Sequence, residues 1–133
     1  MTSEVVARKK ELLIRYIKDL KAYENCSFEE FMENHYSVER IIELLVAVSS
    51  DIIFHLISQK QEEIPTTYRT AFLRAGELSL ISNNLALKLA EAAGMRNILI
   101  HGYEEIDFNI IYNSIEQAIH DFSQFLVEIE KVS

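Results

Sequence analysis

The sequence predicts an all-α fold, a helical bundle of about five helices joined by short connections, and three observations carry that expectation. Only three Gly and one Pro occur in 133 residues, too few for the many turns of a strand-rich chain of this size. Apolar residues recur at three- and four-residue intervals in segment after segment. Residues suited to helix starts stand where those periodic runs begin. Hydrophobic residues make up 49% and charged residues 26%, a globular balance rather than a disordered one. The length fits one domain over residues 1–133, enough to bury a core.

Residues 4–22 place Val5, Leu12, Leu13, Tyr16, Ile17 and Leu20 on one stripe between Lys and Glu, which predicts a first helix with one apolar face. The stretch ENCSFEEF interrupts it, and Ser27 with Glu30 makes a capping-box pattern for a renewed helix. Residues 36–61 hold RIIELLVAVSSDIIFHLIS, apolar nearly all round, so this segment should be the central helix. EEIPTT is the clearest break. Pro65 suits a helix start, with Thr66 or Thr67 as cap for YRTAFLRAGEL. Ser82 is the expected cap for a helix over 83–101. Asp107 caps the last one, where Ile111, Ile115, Ile119, Phe122, Leu126 and Ile129 repeat at three and four. No repeat, low-complexity tract or linker divides the chain.

The formal net charge of −8 disfavours broad electrostatic binding to nucleic acid or to an anionic membrane, although a small basic cleft stays open. The single Cys26 rules out an intrachain disulfide and leaves too few thiols for structural zinc, which fits a reducing cytoplasm. The start, MTSEVVARKKELL, lacks the apolar core of a signal peptide, and the apolar runs look too short for a membrane span. The expectation is a cytoplasmic protein with no membrane, metal or cofactor.

The chemistry-bearing cluster is MRNILIHGY. At about 100° per residue, Arg96 and Tyr103 share one helix face and Asn97 and His101 another, whereas Arg96 and His101 diverge by about 140°. A joint site therefore needs a kink, which Gly102 could provide, or a second copy of the chain. An arginine clamps phosphate and stabilises charge developing on it, and a histidine exchanges protons at neutral pH. Together they suffice for metal-independent RNA cleavage by transesterification, with Asn97 orienting the histidine and Tyr103 offering a hydroxyl. The bland reading stays beside it: Arg96 and Tyr103 pair at a helix end, and His101 is a satisfied, partly buried histidine.

MRNILIHGY resembles the R-N-x-L-x-H-x-Y signature of the HepT-like branch of the HEPN superfamily. EEIPTTYRTAF, LISNNLALKLAEAAGMRN and YEEID resemble further elements of that branch in the same order, across residues 35 to 125. The resemblance implies an all-α homodimer, a toxin ribonuclease that cuts RNA without metal. It also implies a partner, a minimal nucleotidyltransferase antitoxin of the MntA-like kind. Carried over by residue, Arg96 and His101 are catalytic and Asn97 supports them. Tyr103 matches the tyrosine that such antitoxins modify with AMP. From another class comes the alternative of a non-catalytic helical module that binds the nucleotidyltransferase.

Other polar residues are weighed on their own. Asp51, in the most apolar segment, needs a partner, for which Arg96, His101 or His55 are candidates; a solvent-facing side chain is the plainer reading. Arg69 and Arg74 either line the cleft against RNA backbone or form surface ion pairs with Glu62, Glu63 and Glu77. His35 and His120 read as solvated. Tyr16, Tyr23, Tyr36, Tyr68 and Tyr112 read as core or interface rings, and Cys26 lacks the basic neighbour that a nucleophile needs.

Overall fold

Local sequence explains each helix of the computed structural model, which describes residues 4–133. The first helix, α1 (Glu4–Lys21), buries Val6, Leu13, Ile17 and Leu20. Ser27 opens α2 (Phe28–Glu33) with a capping box, its side chain accepting from the Glu30 N–H. Asn34 ends α2, and a new helix, α3 (His35–Gln59), starts at once. Thr67 caps α4 (Tyr68–Glu77) through Thr70, and Ser82 caps α5 (Asn83–His101). A single 3-10 turn over Tyr103–Glu105 then leads to Asp107, whose side chain caps α6 (Phe108–Glu130).

Six α-helices are therefore present among the described residues, against the expected five or so. The renewed helix expected at Ser27 is the short α2, which its capping box opens and Asn34 closes before the central segment begins, so it stands as a helix of its own. The scarcity of glycine also has a local account. Two helix ends that commonly use glycine in the left-handed region use Gln61 (φ 58) and Ser79 (φ 59) instead.

The core surrounds α3, which packs against α1, α4, α5 and α6. Phe31, Phe72, Phe122, Phe125, Leu45, Ile52, Ile53 and Ile57 are fully buried. Each contributes roughly 1.5–3 kcal/mol of apolar burial. By length and mean hydropathy α3 is apolar enough to cross a membrane, contrary to the reading of the apolar runs as too short; 56% of its most apolar window is buried inside the bundle. Helices α4 and α5 approach closely at Gly76, where a Cβ would lie 2.8 Å from the Ala86 Cβ. Polar ties hold the C-terminal helix. Tyr112 donates to the Cys26 carbonyl at 2.7 Å, Glu128 accepts from the Ser82 N–H at 2.6 Å, and Lys10 pairs with Glu130 at 3.0 Å.

Candidate active site

The end of α5 carries Arg96, Asn97 and His101. Arg96 turns toward α4, where its guanidinium carbon stands 4.5 Å from the centre of the Tyr68 ring. Such a cation–π contact is worth about 0.5–2 kcal/mol, more as water is excluded. The Arg96 Nε is buried and donates to no protein acceptor. No carboxylate pairs with Arg96 among the described residues, in a chain with 21 acidic side chains. Its positive charge is held by an aromatic face and left without an anion.

Asn97 and His101 are exposed, and His101 forms neither a hydrogen bond nor an ion pair among the described residues. The helix stops directly after it, where the Gly102 N–H donates to the Ile98 carbonyl at 2.9 Å. Gly102 thus ends α5 rather than kinking it. Tyr103 leaves the helix, so the expectation that it shares a face with Arg96 fails. Their pairing fails with it.

Tyr103 instead meets the start of α3. Its ring stacks on Tyr36 (6.3 Å between centroids, 9° between planes) and meets Phe108 edge-on at 6.4 Å. Tyr103 is 39% exposed, yet desolvation of its hydroxyl first, then the neighbouring Tyr36 hydroxyl and Glu39 carboxylate, hold its phenol above the ordinary tyrosine range. Glu39 is buried and bound at 2.7 Å by Nδ1 of His35. The His35 ring packs on Tyr36 and Phe108, with centroids 4.1 and 4.9 Å away. His35 is therefore a paired and largely covered group, not the solvated one expected, because Glu39 lies one helical turn on. His120 is exposed, as expected, with Asp121 at 3.5 Å.

The other candidates separate. Asp51 pairs with Lys9 of α1 at 3.1 Å, not with Arg96, His101 or His55, since α1 crosses α3 at that level. Arg74 is held by Glu62 at 3.1 Å and Glu77 at 3.4 Å, the surface-pair reading. Arg69, beside Tyr68, is exposed and without an ion pair among the described residues. Burial and Glu30 push the Cys26 thiol up, so it stays protonated at neutral pH. Sequence reasoning missed Tyr68 as the support of Arg96 and Glu39 with His35 as neighbours of Tyr103. These contacts join residues from separate helices, and no periodicity within one helix signals them.

Comparison with known proteins gives a consistent result. A family model described as ribonuclease HepT-like matches residues 13–129. The chain is 28% identical over 128 residues to the tRNA nuclease HepT of Aphanizomenon flos-aquae, covering 94% of this chain and 87% of the relative. It is 33% identical over 76 residues to the mRNA nuclease HepT of Shewanella oneidensis, 57% of each chain. Among solved structures it resembles a tri-AMPylated Shewanella oneidensis HEPN toxin in complex with an MNT antitoxin. That match has a TM-score of 0.88 and 25% identity, covering 98% of this chain and 99% of the other. The motif MRNILIHGY and the six-helix bundle thus meet in one assignment: the chain belongs to the HepT-like ribonuclease family.

Proposed function

We propose that this protein is the toxin ribonuclease of a toxin–antitoxin pair and cleaves RNA without metal through Arg96 and His101. The observation that carries this reading is the unpaired Arg96 guanidinium, fixed on Tyr68 at the end of a helix whose last residue is the exposed His101. His101 takes the proton of a ribose 2′-hydroxyl. The freed oxygen attacks the adjacent phosphorus, and Arg96 stabilises the charge that builds on the phosphoryl oxygens. The bond to the 5′-oxygen breaks, the leaving oxygen is protonated, and a 2′,3′-cyclic phosphate remains. Asn97, on the same face as His101, supports it.

One helix directs Arg96 and His101 about 140° apart, so the working site is a cleft between two copies of the chain. The exposure of Ile98, Ile100 and Ile110 beside the motif supports a homodimer there. The partner is a nucleotidyltransferase antitoxin of the MntA kind, which adds AMP to Tyr103 and blocks the cleft. The AMP carried by the HEPN toxin of similar structure supports this regulation.

Purified protein tests the reading on RNA in EDTA. The parent should cut, and Arg96→Ala and His101→Ala should each be slower by about 10²-fold or more. An inactive parent, or variants that cut as fast as it does, would sink the proposal.

A further inference from the structure

One ring near the motif is held firmly and yet left in water. Tyr36, on the first turn of α3, is 70% exposed, more than any other large apolar side chain among the described residues. Its neighbours fix it all the same. The His35 ring lies against it, 4.1 Å between centroids, and Glu39 in turn binds His35 Nδ1 at 2.7 Å. The Tyr103 ring runs nearly parallel to it, 9° between planes and 6.3 Å between centroids, and Phe108 meets Tyr103 edge-on. Arg40 stands one helical turn further along the same face. Its side chain is 69% exposed, and its only ion pair among the described residues is a long one, 3.9 Å to Glu43.

We propose that Tyr36 and Tyr103 form a stacking surface for an unpaired base of the RNA substrate, and that Arg40 holds the adjoining phosphate. This rests on the reading of the protein as an RNA-cleaving enzyme, whose motif lies beside the surface because Tyr103 follows His101 by two residues. Every base has a π-face, and aromatic side chains bind it with little regard to sequence. Rings locked in advance lose little freedom when a base arrives, so more of the contact energy goes to binding. Charge argues for the same occupant. At a net charge of −8 the chain has little general attraction for a polyanion. Its hold on RNA must come from contacts that do not rely on net charge, and stacking is one of them. The guanidinium of Arg40, largely free in solvent, supplies the cation for one phosphate. A base inside a duplex offers no open face, so the surface selects single-stranded segments.

The test uses single-stranded oligoribonucleotides that carry a fluorescent aminopurine base at successive positions. They are bound in EDTA by the full chain with His101→Ala, which prevents cutting. One position should lose fluorescence on binding, the sign of a stacked base. Adding Tyr36→Leu should abolish that quench and weaken binding by about tenfold, by the same factor at low and high salt. Tyr36→Phe keeps the ring and should bind like the parent. Removing the base at that position should weaken binding as much as Tyr36→Leu does, and the two losses should not add. If Tyr36→Leu does not melt like the parent, the abasic oligonucleotide decides alone. Arg40→Ala should instead cost affinity chiefly at low salt. An unchanged quench in Tyr36→Leu overturns the proposal, as does equal binding of duplex and single strand. So does a Tyr36→Leu protein that binds RNA like the parent but has lost its dimer or its hold on a nucleotidyltransferase, because the ring then belongs to a protein interface. Failure of the underlying reading looks different: the unmutated chain then neither binds nor cuts any RNA.

Discussion

The guanidinium of Arg96 stands 4.5 Å from the centre of the Tyr68 ring, and that contact joins α5 to the first residue of α4. The ring is a floor, holding a cation in place without neutralising it, as a carboxylate would. Tyr68→Ala should therefore lower RNA cleavage by about tenfold through loss of positioning. Tyr68→Phe should retain most of the rate, because the ring face and not the hydroxyl carries the contact. Steady-state cleavage of one RNA by the three proteins checks both statements.

Arg69 and Arg74 should behave differently toward RNA. Arg74 is already engaged by two carboxylates, whereas Arg69 is exposed beside Tyr68 with no ion pair among the described residues. Arg69→Ala should weaken RNA binding and reduce its salt dependence by about one counterion, and Arg74→Ala should leave both nearly unchanged. Binding isotherms at several salt concentrations measure the slopes.

Two helical glycines should respond to alanine with opposite signs. At Gly76 a methyl would lie 2.8 Å from the Ala86 Cβ and 3.0 Å from Asn83 Oδ1, so α4 and α5 must part. Gly76→Ala should cost about 1–3 kcal/mol. At Gly94 nothing lies within 4 Å of the new methyl, and Gly94→Ala should stabilise by roughly 0.5–1 kcal/mol through helix propensity. Denaturant melts of the two variants decide the signs.

Glu128 ties the end of α6 to the start of α5 in a manner that depends on pH. Burial alone would raise its carboxyl, but bonds from Gln124 and from the Ser82 N–H and hydroxyl, with Lys131 nearby, hold it below the ordinary range. A carboxylate lowered in the folded state stabilises above its unfolded value, and that stability is lost as pH falls through the folded value. Glu128→Gln should thus be less stable than the parent at neutral pH by about 1 kcal/mol. The gap should close as pH falls through and below the carboxylate range. Thermal melts from neutral to strongly acidic pH check the convergence.

Helices and caps were legible because their causes are local. Ser27, Thr67, Ser82 and Asp107 each cap the helix expected of them, and the apolar stripes of α1 and α6 point inward except at Val5. Val5 is exposed near the start of α1, where Val6 takes the core position instead. The signature residues were legible as a group, but their arrangement was not. A helical wheel put Tyr103 with Arg96 because nothing in the periodicity marks where a helix stops; Gly102 sets that point. The partners of Asp51 and His35 eluded the same reasoning in different ways. Lys9 reaches Asp51 from another helix, whereas Glu39 lies on the same one as His35, four residues on, in a run where apolar neighbours dominate the pattern.

The stop at Gly102 makes close neighbours in sequence strangers in mechanics. His101 belongs to a rod of nineteen residues, and Tyr103 to a turn of three that leans on the opening of α3. Bulk added to the phenol presses first on Tyr36 and Phe108, while the rod keeps its own backbone hydrogen bonds. The two can therefore shift independently, as a hinged awning moves on a frame that stays still.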